Sequence, residues 1–156
     1  MNRSKLKKLL YSTFGHLDDV HLMALTMFAE ARDQGALGII AVGSVILERV
    51  DHRDWDGKTI KEVCLTPFQF SCFLPDDPQF EKLKMIAWAW ENWNSSILDV
   101  CLYFAEGLIN GTVPRTSEIA EHHITQYLRT DCEATWEKDM TKIVTIGDHD
   151  FYSDKT

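Results

Sequence analysis

The chain of 156 residues has no apolar run approaching the roughly 18 residues that a membrane-spanning helix needs. Its most apolar stretch, Leu37 to Leu47, is interrupted by Gly38, Gly43 and Ser44, so stable membrane insertion is not expected. The N-terminus lacks an uninterrupted apolar segment with a small-residue cleavage site, so no signal peptide is read there and initial residence is expected in the cytoplasm. Basic residues are in deficit: 16 Lys and Arg stand against 24 Asp and Glu, a formal net charge of −8. That balance opposes nucleic-acid binding, whose affinity comes largely from neutralised phosphates. Cysteine is sparse, and Cys64, Cys72, Cys101 and Cys132 form no C-x-x-C pair of a zinc or redox motif. A chain of this length folds without covalent staples, so all four are expected to be reduced thiols. Internal repeats, low-complexity tracts and interdomain linkers are also missing.

What is present is an ordinary globular composition, 45% hydrophobic and 26% charged, with five Trp and eight Phe that require burial or ligand contact. The length suits one domain with a real core. Residues 1–20 form a basic, amphipathic N-terminal segment in which Arg3, Lys5, Lys7 and Lys8 surround Leu6, Leu9 and Leu10. It suits a membrane surface or, more blandly, packing against the domain of residues 21–156.

His21 to Ala31 reads as a helix with Leu22, Leu25 and Ala29 on one face, capped by Asp18 or Asp19 and interrupted at Gly35. Ala36 to Val50 predicts a second helix so apolar that most of its circumference must be covered, with Gly43 allowing close approach. Residues 51 to 80 change character: a charged loop, a turn or two of helix at TIKEVC, then an aromatic segment rich in Pro and Asp that suits a cleft lining. Helices follow at about Glu81 to Asn94, with Trp90 inward, and Ser96 to Leu108, with Ile97, Val100, Cys101, Phe104, Ala105 and Leu108 inward. The terminal KIVTIGDHDFY reads as one short strand or hairpin arm. The class is therefore mainly α, an α+β fold with a short C-terminal β element.

Glu30 is the chemical oddity of the first helix, sharing a face with Met23, Thr26 and Met27. A carboxyl withdrawn from water holds its proton more tightly, as a general acid near neutral pH must. The competing reading is a carboxylate at the edge of the apolar stripe, paired with Arg32. Glu48, followed by Arg49, reads as a helix-end charge.

The stretches LTMFAEARDQGALGIIAVGSVILERV and TIKEVCLTPFQFSC, with Ala120, His122, Trp136 and the run Ile146 to Tyr152 near the end, resemble the motifs of the SleB/CwlJ-type cell wall hydrolase family. The resemblance runs from about residue 21 to 153. It implies a compact lysozyme-like glycosidase domain acting on peptidoglycan glycan strands between N-acetylmuramic acid and N-acetylglucosamine, by lytic transglycosylase chemistry that leaves 1,6-anhydromuramyl ends. It also implies that Glu30 is the catalytic acid and that no cofactor is used. A hydrolytic muramidase stays open, with Asp33, Glu48 or Asp76 as a second carboxylate. A non-catalytic peptidoglycan-binding or virion structural module and an unrelated adaptor are further alternatives. The single-domain form resembles phage endolysins. It suggests a monomer held in the host cytoplasm until a holin-like permeabilising factor gives access to the wall.

Substrate handling is expected from Phe68, Gln69, Ser71 and Tyr127, which offer apolar ring faces and paired donor and acceptor groups to sugars. The bland reading keeps Phe68, Phe70, Cys72 and Phe73 in the core, and it suits Phe70 and Cys72 best. His122, His149 and Tyr152 are expected to support Glu30 or the framework. The spacing of His122, His123, Cys132 and His149 matches no compact zinc motif, so no metal is expected. His123 replaces an aromatic usual in the family, and Glu118 and Ile119 replace glycines, which alters that rim. Among the tryptophans, Trp88 and Trp93 suit core or surface, Trp55 sits in a charged turn compatible with exposure, and Trp136 suits an anchor for the C-terminal segment over ring stacking.

Overall fold

A computed structural model describes residues 1–154. Among these residues seven α-helices precede and frame a small sheet: α1 (Arg3–Phe14), α2 (Asp19–Ala31), α3 (Gly35–His52), α4 (Ile60–Cys64), α5 (Phe80–Trp88), α6 (Ser96–Asn110) and α7 (Ser117–Glu121). Strands β1 (Gln126–Arg129), β2 (Met140–Ile146) and β3 (His149–Asp154) follow, so the fold is mainly α with a C-terminal three-stranded sheet.

Helix α2 is the centre of the core. Asp18 caps it by accepting from the His21 amide, and Leu22 through Ala29 are all buried, because α3, α4 and α6 pack around it. Gly43 on α3 sits at the crossing, where an added Cβ would lie 2.6 Å from Leu108 of α6 and 3.1 Å from Met23 and Met27 of α2. Burying each of those large side chains contributes about 1.5–3 kcal/mol, so the close approach has an energetic return. Gly35, with φ of +74°, does not merely interrupt the chain but begins α3. Helix α1 adds Leu6, Leu10 and Phe14 to the same core, with Phe14 against Phe73 and Phe80.

Two helices depart from the periodicity reading. The helix expected to reach Asn94 stops at Trp88 and is followed by a 3-10 turn, Trp90–Asn92. The carbonyl of Ala87 meets the His16 ring nitrogen at 2.8 Å, and the backbone tightens at Ala89, which ends the regular ladder. Trp90 is consequently only half-buried, edge-on to His21. In α6 the inward face runs through Leu98, Cys101, Ala105 and Leu108, which rotates Val100 out to 39% exposure. Gly111, at φ of +85°, terminates the helix.

The other side of α3 carries the sheet. Ala41 and Val45 pack with Ile119, Ile124 and Phe151, so α3 is covered by helices on one face and by strands on the other. The C-terminal segment forms a full hairpin, β2 with β3, and β3 also pairs antiparallel with β1 in the order β1-β3-β2. The hairpin turn is tied to the α2–α3 turn by Gln34, whose side chain accepts from the Asp148 amide at 2.7 Å and donates to the Asp148 carboxylate at 3.0 Å. Gly147, at φ of +58°, leaves room for that clamp, since a Cβ there would meet Gln34 Oε1.

Candidate active site

The end of α2, the loop after α4 and strand β1 enclose a cleft of about 620 Å³. Glu30, in the last turn of α2, lines it beside Phe68, Gln69 and Ser71 from the loop, Tyr127 from β1 and His149 from β3. Tyr127 pairs with Phe151 and Arg129 with His149 in the β1–β3 register, which sets Tyr127, His149 and Phe151 on one face with ring centroids 5.0 and 5.5 Å from Tyr127.

The Tyr127 hydroxyl donates to Glu30 Oε1 at 2.5 Å. Glu30 is not paired with Arg32, whose guanidinium instead donates to Gln79 at 2.5 Å and lies over the Phe28 ring. Burial pushes the Glu30 carboxyl above its ordinary value, while the Tyr127 hydrogen bond and the charge of Arg49 pull it back, and Asp77 adds to the rise. The C-terminal end of α2 carries partial negative charge and acts in the same direction as burial. Burial also lifts the Tyr127 phenol well above its usual range, so it remains a donor at neutral pH. His149, 5% exposed, is pushed down by burial and then by Arg129, which favours the neutral ring.

Arg49 is the charge beneath this pair. It is fully buried, donates through Nε to the Thr125 carbonyl at 2.8 Å, stacks on Phe70, and leaves Nη1 without a partner. Arg53, one turn later, donates to the same carbonyl at 3.0 Å and to Gln69 Oε1 at 2.9 Å, and burial lowers it to about 10. Arg49 of α3 and Arg53, the residue that caps its C-terminus, therefore hold the approach to β1 and the aromatic loop at the same time. Arg53 also lies 4.0 Å from the ring centroid of Trp55, which is 58% exposed at the cleft margin.

The expected binding residues converge. Phe68 is 55% exposed and projects from a backbone with φ of +67°, whereas Phe70 and Cys72 are core. Gln69 is held by Arg53, and Ser71 is exposed to the cleft. Trp136 lines the cleft while packing edge-on against Tyr152. His122 and Tyr152 are not brought to Glu30: both line a separate cavity of about 420 Å³, because His122 ends α7 and Tyr152, next to Phe151 on β3, points from the opposite face of the sheet.

Of the carboxylates weighed as a second catalytic group, Asp33 and Asp76 are exposed, and Glu48 is engaged by Arg115 and His123 away from the cleft. Glu48 is not a helix-end surface charge, since it is 2% exposed. Among the described residues lining the cleft, Glu30 is the only carboxylate. Residues that the sequence reading did not assign to the cleft include Arg49, Gln79, Gln126, Leu128 and Arg129. Arg49 had a signal, its spacing of seven from Val42 and three from Ile46 on the buried face of α3.

The family model for Cell Wall Hydrolase matches residues 33–152. The chain belongs to that family. As a cell wall hydrolase it is an enzyme that acts on peptidoglycan. The matched span begins three residues after Glu30, so the placement of that residue rests on the geometry just described. The fold of this cell wall hydrolase is similar to the catalytic domain of the germination-specific lytic transglycosylase SleB from Bacillus anthracis, with a TM-score of 0.61, 23% identity, and coverage of 86% of this chain and 93% of that one. Comparison with curated protein sequences finds no significant match.

Proposed function

We propose that the cell wall hydrolase is a lytic transglycosylase that cuts glycan strands between N-acetylmuramic acid and N-acetylglucosamine, with Glu30 as its one acid–base group. The observation that carries the reading is a cleft with a single carboxylate among its described lining residues, held above its ordinary pKa by burial and fixed in place by Tyr127. Inverting and retaining hydrolases commonly require a second carboxylate, to activate water or to form a glycosyl-enzyme. One carboxyl suffices when the nucleophile belongs to the substrate.

Protonated Glu30 gives its proton to the glycosidic oxygen as the bond from C1 to that oxygen breaks. The resulting carboxylate then takes the proton of the muramyl C6 hydroxyl as that oxygen bonds to C1, which closes the 1,6-anhydro ring and restores the acid. Tyr127 and Arg49 stabilise the carboxylate between the two transfers. Phe68, Trp55 and Trp136 supply ring faces for sugars, and Gln69 and Ser71 supply hydrogen bonds to hydroxyl and N-acetyl groups. The structural likeness to the catalytic domain of a germination-specific lytic transglycosylase supports the same reading. Delivery from a host cytoplasmic pool through a holin-like factor belongs to this proposal on sequence grounds, and fractionation of expressing cells with and without such a factor tests it.

Mass spectrometry of unreduced digests of purified peptidoglycan tests the chemistry. Anhydromuramyl ends, one water lighter than hydrolysed reducing ends, are expected to predominate. Predominantly hydrated ends would overturn the assignment and direct attention to Asp77, the acidic neighbour whose charge Glu30 feels.

A further inference from the structure

We propose that Glu48, His52 and His123 form a binding site for a borderline divalent transition-metal ion, with zinc as the reference case. Glu48 and His52 stand one helical turn apart at the end of α3, and His123 comes from the turn after α7. Glu48 Oε1 lies 3.1 Å from His123 Nδ1 and 3.6 Å from His52 Nε2, and all three atoms lie within 4.8 Å of one another. In a four-coordinate site with metal bonds of 2.0–2.1 Å, neighbouring ligand atoms sit about 3.3 Å apart. Two edges of that figure are therefore already close to formed. The third closes by rotation of the two imidazoles, which are 41% and 59% exposed.

The carboxylate is oriented for this role. Arg115 holds Glu48 Oε2 and also pairs with Asp51 at 2.8 Å, which leaves Oε1 directed at the two rings. Fixing of a first-contact ligand by an outer partner is a regular feature of metal sites. The open side faces the cavity of about 420 Å³ lined by His52, His122 and His123, which admits the ion and leaves space for a water as fourth ligand. Two imidazole nitrogens with one carboxylate oxygen suit zinc, cobalt or nickel better than calcium or magnesium, which prefer all-oxygen sets.

His123 supplies an independent observation. It occupies a left-handed position at φ of +50°, just past the end of α7, where the Ile124 amide bonds back to the Ile119 carbonyl. Glycine is the usual residue at such a position. The chain places an imidazole there, and that imidazole reaches Glu48. An ion bound by the three residues would pin the end of α3 to the turn that leads into β1, four residues before Tyr127. The site is separate from the cleft and does not depend on the proposed glycan chemistry.

The test uses tag-free full-length protein freed of metal by a chelator, titrated with zinc by calorimetry and with cobalt(II) by its visible d–d absorption, alongside thermal unfolding. Wild type is expected to bind one equivalent, to show the absorption of a four-coordinate cobalt site without a thiolate band, and to gain thermal stability with zinc. His52→Ala should weaken binding by more than the about 10- to 100-fold typical of losing an outer-shell partner. His123→Gly relieves the left-handed backbone as it removes a ligand, so it should fold at least as stably as wild type without metal yet lose the stabilisation by zinc. Absence of zinc binding by wild type, or equal binding by both folded variants, would overturn the site.

Discussion

The phenolic hydroxyl of Tyr127 donates to Glu30 across 97 positions of sequence, at 2.5 Å, joining the first strand to the end of the central helix. The bond favours the ionised carboxylate, whereas burial favours the protonated one, and burial is the larger influence. Such a balance suits a group that must give up a proton and take one back in the same catalytic cycle. Tyr127→Phe removes only the hydroxyl. It should lower kcat and shift the alkaline limb of the pH–rate profile upward, because Glu30 would then hold its proton more tightly. A profile unchanged in position would show that the bond does not tune the acid.

Glu30 also links stability to pH. Its folded-state pKa is raised above the ordinary glutamate value of 4.5, so the native protein binds more protons than the unfolded chain between that value and the folded one. The contribution of this group to stability therefore falls as pH rises through that window and stays low above it. Glu30→Gln, which cannot ionise, should gain in melting temperature relative to wild type as pH is raised from 4 to 7. Thermal unfolding at both pH values checks the sign, and a relative loss for the variant at pH 7 would contradict it.

Phe68 carries backbone strain on the cleft rim, with a bulky side chain at φ of +67° and no burial to justify it energetically. Phe68→Gly should raise stability by about 1 kcal/mol, through relief of that conformation, and weaken glycan binding at the same time. Unfolding midpoints and binding to peptidoglycan fragments measured on one preparation separate the two effects. A variant that loses stability would assign the ring a packing role instead.

The helical core was legible because its information is local. Leu22, Leu25 and Ala29 in α2 and the near-continuous apolar run of α3 announce helices by spacing alone, and Gly43 announces the crossing. Strand β1 was not legible: Gln126 to Arg129 is four residues long, half-buried rather than alternating, and exists through pairing with the distant strand β3. The same non-local pairing decides which side of β3 faces Glu30, so His149 and Tyr152 had equal standing in the sequence and occupy opposite faces in the fold. Glu48 and Arg49 read as a charged helix end because their partners, Arg115 and the Thr125 carbonyl, lie 67 and 76 positions away.

The crossing at Gly43 gives a test of the core that leaves the chemistry aside. Gly43→Ala brings a methyl group against the ends of Leu108, Met23 and Met27, flexible groups that can shift but have little free volume. A destabilisation of about 1–3 kcal/mol is expected, measured by denaturant unfolding with the slope unchanged. Stabilisation would mean that the crossing holds a void.

The central claim is that Glu30, alone among the carboxylates, performs both proton transfers, and turnover of purified peptidoglycan by Glu30→Gln measures it most directly. The variant keeps the shape of the side chain, so circular dichroism should match wild type while the rate of glycan cleavage falls at least about 100-fold. Cleavage at the wild-type rate by a folded Glu30→Gln protein would contradict the account.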